Sequence, residues 1–322
     1  MRAVRLHATG GPGALSLEDI PVPTPGSGEI LVRHAAVGLN FIDIYQRDGL
    51  YPIPLPATLG LEAAGTVETV GPDVTRFQVG DRVAYCSTLG AYAEANVVKA
   101  DRAVRIPDPV SFDVAAACLL KGLTAEFLVR RLWPLVPGDV ALVQAAAGGV
   151  GLILCQWLKA TGVRVIGCVG SQAKADLARA HGCAEIILAG EEDVAARVQA
   201  LTCGAGVKVA YDSVGRSTLD GSLASLARRG LLVSYGNASG PPDPVDPLRL
   251  SRGGSLFLTR PTLFDYVSTP AELDAAADAL FGVIATGDVQ IRIGQTFPLE
   301  EIAAAHVALA GRQTTGATLL RL

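Results

Sequence analysis

The sequence contains no C-x-x-C pair, no H-E-x-x-H and no two histidines at metal-ligand spacing, which excludes the common zinc knuckles, dithiol redox motifs and zincin sites. Its six cysteines (Cys86, Cys118, Cys155, Cys168, Cys183, Cys203) are widely spaced and mostly sit in apolar runs. They are expected to be buried, reduced thiols. The four histidines, His7, His34, His181 and His306, are expected to be packing or surface residues, and no metal site is expected. Charge is scarce as well. Only 18% of residues are charged, the formal net charge is −4, and no block of Lys or Arg occurs. That leaves no electrostatic footprint for nucleic acid and no attraction to an anionic membrane. Met1-Arg-Ala-Val-Arg-Leu carries no apolar leader, so a cytoplasmic location is expected. Val140 to Leu158 is uncharged, but the glycines and glutamines within it read as a buried strand, a turn and a buried helix rather than a membrane span. Gly236-Asn-Ala-Ser-Gly is not the G-x-S-x-G of a hydrolase elbow.

What is present points to two domains. The chain has 322 residues, half of them hydrophobic, with 36 glycines and 19 prolines for tight turns. Up to about Ser111 it reads as short strands parted by Pro- and Gly-bearing turns. Examples are Glu29-Ile-Leu-Val-Arg, Ala64–Val70, Asp81–Tyr85 and Glu94–Val98, a spacing that suggests a barrel-like domain. Asp113–Ala117 and Thr124–Leu132 have helical periodicity. From Val140 to about Gly240, strands and helices alternate regularly, which is the sequence form of a doubly wound parallel sheet. Near the end, Thr269, Pro270 and Glu272 form a helix start with a capping box, and a second helix runs from Leu299 to Ala310. The last strand, Ala317–Leu320, has its simplest home in the N-terminal domain, which makes the α/β part an insertion. The expected domains are 1–122 with 262–322, and 123–261.

Ala145-Ala-Ala-Gly-Gly-Val-Gly151 lies between a strand and a helix. Gly148 and Gly151 stand at the second and third glycines of G-x-G-x-x-G, and Ala146 replaces the first. Glycine at these places lets backbone approach a pyrophosphate and lets helix pack on strand, while the helix N-terminus offers free N–H groups. Ala147, Gly148, Gly149, Val150 and Gly151 are therefore assigned to a dinucleotide. An NAD-type acid is expected about 20 residues on. Here the second strand runs instead into Gly170, Ser171 and Lys174, and the first acid is Asp176. Ser171 and Lys174 suit a 2′-phosphate, hence NADPH; the alternative is that Lys174 is a solvated helix residue.

Many ordered motifs now agree. They include Gly38-Leu-Asn-Phe-Ile-Asp-Ile-Tyr, Gly49-Leu-Tyr-Pro, Leu59-Gly-Leu-Glu-Ala-Ala-Gly, Phe77-Gln-Val-Gly-Asp-Arg-Val, Lys121-Gly-Leu-Thr-Ala, Tyr211-Asp-Ser-Val-Gly and Thr259-Arg-Pro. Over its whole length the sequence resembles the zinc-free quinone oxidoreductase (zeta-crystallin-like) branch of the medium-chain dehydrogenase/reductase superfamily, bacterial members most of all. The resemblance implies a GroES-like β-barrel catalytic domain with an inserted Rossmann domain, and a homodimer paired near Leu256–Thr259. It implies that zinc ligands are replaced at Asn40, at Leu61 and by an apolar residue near Leu120, with Glu62 retained. Asn40, Tyr45 and Tyr51 would line the acceptor pocket; otherwise Asn40 is a turn residue and the tyrosines are core aromatics. Thr124, Ser213, Tyr235, Asn237, Arg260 and Arg312 would touch the cofactor. Leu188-Ala189 departs from the family pattern, which carries a tyrosine there. Without a Lewis acid, a ready hydride acceptor such as a quinone is the expected substrate. The alternatives are an enoyl or alkenal double-bond reductase, and a nucleotide-binding protein with a non-catalytic or RNA-binding role.

Overall fold

The computed structural model describes residues 1–322. Alternating apolar residues build the N-terminal strands: β1 (Arg2–Leu6), β2 (Leu15–Asp19) and the long β3 (Glu29–Leu39). A single helix, α1 (Phe41–Asp48), follows, capped by Asn40 and ended by Gly49 in the left-handed conformation. Then come β4 (Ala57–Thr58), β5 (Glu62–Val70), β6 (Arg82–Tyr85), β7 (Ala95–Lys99) and β8 (Ala103–Arg105). Strands β2-β1-β4 form one sheet, and β3 is the hub of a larger one. Their core is mostly aliphatic, with Ile30, Val32, Leu59, Val67 and Val98 among its fully buried members and Tyr85 and Tyr92 its largest.

Helix α2 (Phe112–Arg130) is one continuous helix, not the two expected segments. The residues between, Cys118 to Leu123, are buried almost all round, so amphipathic periodicity vanishes there without a break in the backbone.

The α/β region is laid down in order as β9 (Val140–Val143), α3 (Gly149–Ala160), β10 (Arg164–Val169), α4 (Gln172–Ala180), β11 (Glu185–Leu188) and α5 (Val194–Leu201). It continues with β12 (Val207–Asp212), α6 (Leu219–Ala224), β13 (Leu226–Ser234), α7 (Pro247–Arg252) and β14 (Phe257–Thr259). All six strands are parallel, in the order β11-β10-β9-β12-β13-β14. That is the 3-2-1-4-5-6 order of a doubly wound dinucleotide fold, whose order reverses between β9 and β12.

After a short turn of helix, α8 (Leu263–Tyr266), comes α9 (Pro270–Ala285). Its capping box is made as expected: Glu272 N–H donates to Thr269 Oγ1 (3.2 Å), and Thr269 N–H donates to Glu272 Oε2 (3.0 Å). Strand β15 (Ile293–Pro298), α10 (Ile302–Ala310) and β16 (Ala317–Arg321) finish the chain. β16 pairs antiparallel with β3, which puts the last strand in the N-terminal sheet. The chain divides into two compact units, residues 1–123 with 266–285 and 291–322, and residues 124–265 with 286–290.

Five cysteines are buried as expected, and Cys203 is the exception: it is exposed, in a turn with φ 52° after α5. His34 and His306 are buried packing residues.

Candidate active site

In the α/β unit the sequence-assigned residues gather at one end of the sheet. The glycine turn follows β9, Gly170 and Ser171 follow β10, Ser213 follows β12, Tyr235 and Asn237 follow β13, and Arg260 follows β14. These are the carboxyl ends of parallel strands around the switch point, where such sheets bind nucleotides. Thr124 is buried on α2 of the same unit, and Arg312 belongs to the other unit, exposed after α10 with φ 57°.

The two loop glycines answer different demands. A Cβ on Gly151 would lie 2.3 Å from the Ala145 carbonyl oxygen, so glycine there is required by helix-to-strand packing. A Cβ on Gly148 would meet only that same oxygen, at 3.2 Å. The protein interior barely constrains Gly148, which leaves its open face to a ligand. Ala145 is held at φ 52°, a strained conformation for a residue with a Cβ. The first turn of α3 presents unpaired N–H groups beside Gly148.

At the end of β10, a Cβ on Gly170 would meet nothing within 4 Å, and the Ser171 hydroxyl caps α4 by accepting from Lys174 N–H (3.4 Å). Asp176 pairs along its own helix with Arg179 (3.1 Å), so no carboxylate stands at the strand end to receive a ribose 2′-OH. The Arg260 guanidinium donates to the Ser234 (2.8 Å) and Gly236 (3.2 Å) carbonyls, tying β14 to β13. With its amide oriented to satisfy both groups, Asn237 donates to Gly236 O and accepts from Arg260. Sequence reading missed Asp212. This fully buried carboxylate accepts from Val214 N, Gly215 N, Thr218 Oγ1 and Ser222 Oγ, all within 3.0 Å, and so sets the loop that carries Ser213. The Tyr-Asp-Ser-Val-Gly run was its signal.

In the β-rich unit, Tyr45 and Tyr51 meet edge to face at 5.2 Å, joined by the backbone bond Tyr51 N–H to Tyr45 O (3.0 Å). Asn40 starts the same helix, and its Nδ2 donates to Glu62 Oε2 at 2.8 Å. Glu62 is fully buried and also receives Leu120 N–H (2.7 Å) and the Lys121 ammonium (2.9 Å). Near Leu120, where the resemblance implies an apolar replacement, Leu120 contributes its peptide N–H and the next side chain, Lys121, supplies a buried cation. Gly38 makes room, since a Cβ there would sit 2.3 Å from Glu62 Oε2 and from the Ala116 carbonyl. Zinc binds through lone pairs on N, S or O ligands. Around Glu62 stand an amide N–H₂, a peptide N–H and an ammonium, and no group of three or more His, Cys, Asp or Glu side chains converges anywhere in the chain. Zinc does not fit this donor set.

Beneath α1 lies a polar chain that the sequence did not reveal. Arg47 donates to His306 Nδ1 (3.0 Å), which sets the tautomer with hydrogen on Nε2. His306 Nε2 meets Tyr92 Oη (3.2 Å), and Tyr92 donates to Asp43 Oδ2 (2.8 Å). Asp43 also accepts from Asn40 N–H (2.8 Å). Burial and the Arg47 charge push His306 down to about 3, so it is neutral. Burial pushes the Asp43 carboxyl up to about 7, despite those two donors. Between about pH 4 and pH 7 the folded Asp43 thus holds a proton that the unfolded chain has released, and this residue's contribution to stability falls as pH rises. Asp43→Asn, which mimics the protonated acid, is expected to remove this slope. Urea unfolding at pH 5 and pH 8 should show the wild type losing about 2–3 kcal/mol relative to the variant.

A strand-rich unit joined to a 3-2-1-4-5-6 dinucleotide sheet with a glycine turn defines a medium-chain dehydrogenase/reductase. Comparison with known proteins agrees. The family described as "Alcohol dehydrogenase GroES-like domain" matches residues 26–108, and that described as "Zinc-binding dehydrogenase" matches residues 149–281. A quinone oxidoreductase of Pseudomonas aeruginosa is 53% identical over 321 residues, 99% of each chain. A 2-haloacrylate reductase of a Burkholderia species is 41% identical, over 99% of this chain and 98% of the other. The crystal structure of Escherichia coli quinone oxidoreductase complexed with NADPH superposes with a TM-score of 0.98 at 44% identity, over all of both chains. This chain belongs to the quinone oxidoreductase family of that superfamily.

Proposed function

We propose that this chain reduces quinones with NADPH by a zinc-independent route. The observation that carries this reading is the Glu62 cluster, where hydrogen-bond donors stand in place of metal ligands beside Asn40. A site that cannot polarise an alcohol through a metal suits an acceptor that takes a hydride readily. NADPH supplies that hydride when bound. Gly148, the N-terminus of α3, Ser171 and Lys174 hold its phosphates, with Thr124, Ser213, Tyr235, Asn237, Arg260 and Arg312 as further contacts. Asn40, Tyr45 and Tyr51 line the acceptor pocket. In this reading residues 123–261 are the cofactor domain and the remainder the catalytic domain. The test is reduced-nicotinamide absorbance with chelator present, NADPH against NADH, each with a quinone. Fast NADPH oxidation that survives chelation supports the proposal; none with any quinone ends it.

The 2-haloacrylate reductase relative favours a second reading, reduction of an activated carbon–carbon double bond. Side-by-side rates on a quinone and an α,β-unsaturated carbonyl separate the two. Lys174→Glu is expected to weaken NADPH binding about 10- to 100-fold and NADH binding little, because it removes the 2′-phosphate's cation. Fluorescence titration with both nucleotides checks this.

We further propose a homodimer. Edge strand β14 is paired on one side only, by β13, and Phe257 on it is exposed. No helix is long and apolar enough to cross a membrane; the cytoplasm, with no nucleic-acid partner, is the proposed setting.

A further inference from the structure

Lys121 poses a question of economy. Its side chain is only 7% exposed, and its ammonium makes one hydrogen bond to the protein, to Glu62 Oε2. An ammonium has three N–H donors, so two are unspent in a place where unspent donors are costly. Glu62 does not need the lysine to satisfy its oxygens, because Leu120 N–H already serves Oε1 and Asn40 Nδ2 serves Oε2. A buried ion pair is commonly no more stable than neutral side chains of similar volume. A Gln and a Met would fill these two positions without burying any charge. The charge is therefore better explained by use than by stability.

The use follows from the reaction. This step rests on the quinone-reductase reading above. When a quinone or a conjugated enone takes up a hydride, the electron pair it gains ends on oxygen, as a phenolate or an enolate. That oxygen needs a cation as its charge develops and a proton when it has formed. Asn40, assigned to the acceptor pocket, shares Glu62 Oε2 with the lysine, so the ammonium lies within two hydrogen bonds of that pocket residue.

We propose that Lys121 is a catalytic residue: its ammonium, held on Glu62 beside Asn40, receives the acceptor oxygen as that oxygen becomes negative and passes it a proton. One N–H bond of the ammonium breaks and one O–H bond of the product forms. The lysine is left as a neutral amine, Glu62 stays a carboxylate throughout, and water returns the proton. Lys121 thus does for this enzyme what a Lewis-acid metal would do, with a proton to give in addition.

The experiment must separate this role from that of a counter-ion to Glu62. Lys121→Gln alone strands a buried carboxylate, so it is paired with the double variant Glu62→Gln/Lys121→Gln, which removes both charges; thermal unfolding is used to check that the double variant folds. Two readouts are taken. One is kcat with a quinone against kcat with ferricyanide, an acceptor that gains electrons without forming an oxygen anion. The other is the absorbance of 4-nitrophenol, whose phenolate mimics the reduced product, on binding to the protein without NADPH. The proposal expects the double variant to reduce quinone about 100-fold or more slowly, with the ferricyanide rate far less affected. It also expects wild-type protein to lower the ionisation of bound 4-nitrophenol by about one pH unit, and the double variant not to. Recovery of quinone turnover in the double variant to near the wild-type rate would overturn the proposal, as would an unshifted 4-nitrophenol. Wild-type protein that reduces no quinone but still shifts 4-nitrophenol would overturn the functional reading and leave the lysine's role standing.

Discussion

Glu62→Leu is expected to be among the most destabilising single substitutions in this chain. The carboxylate is wholly buried and gathers three donors: Lys121 Nζ, Asn40 Nδ2 and Leu120 N. Leucine leaves an ammonium buried with no counter-charge, which costs about 3–5 kcal/mol. The stranded peptide and amide donors each add about 1–3 kcal/mol unless water reaches them. Against a typical stability of about 5–15 kcal/mol, such a loss consumes much of the total. Adding Lys121→Met should recover the ion-pair share, because no charge is then left unpaired. Urea melts of wild type, single and double variants measure this directly. A single variant within about 1 kcal/mol of wild type would mean that the Glu62 cluster contributes little to stability.

The second large effect divides two glycines three residues apart. Gly151→Val is expected to disrupt the α/β unit, since even its Cβ would lie 2.3 Å from the Ala145 carbonyl oxygen and 2.9 Å from the Ala146 backbone. Neither neighbour is a side chain that can swing away, so the helix must move off the strand, at about 1–3 kcal/mol or more. Gly148→Ala is expected to behave differently. Its methyl meets one atom at 3.2 Å, and its φ of −79° suits any residue, so the fold is kept. Under the proposed function the methyl instead intrudes where the pyrophosphate would approach the backbone, and NADPH affinity should fall about 10- to 100-fold. Thermal unfolding and nucleotide titration of both variants test the contrast. Equal effects on stability would show that both glycines serve packing alone.

Much of this was readable along the chain because it is local. The strand–helix alternation from Val140 onward, the capping box at Thr269 and Glu272, and the glycine turn are each written within a few consecutive residues. Local chemistry decides such features, so periodicity and turn residues announce them. The reading failed where burial is complete. Helix α2 was expected in two pieces because a helix covered on all sides shows no polar stripe. Helix α1 escaped notice altogether: Asn40 and Asp43, its capping pair, lie within Gly38-Leu-Asn-Phe-Ile-Asp, which as a string resembles a strand end as much as a helix start. Strand β15 escaped because its exposure alternates so weakly that its partner β16 is what defines it.

By itself, then, the sequence determined the architecture, the place of the glycine turn and the absence of an acid after β10, while the family resemblance implied the departure from a zinc ligand set at Asn40 and Leu61. The tertiary structure decided what occupies that place instead. Lys121 lies 59 positions from Glu62 along the chain, and His306 lies 214 from Tyr92. No window of sequence contains either pair. Buried polar groups must find partners wherever the fold brings them, because an orphaned charge costs several kcal/mol. That demand acts through space, so its solution is written in β5, α1, α2 and α10 together and in none of them alone.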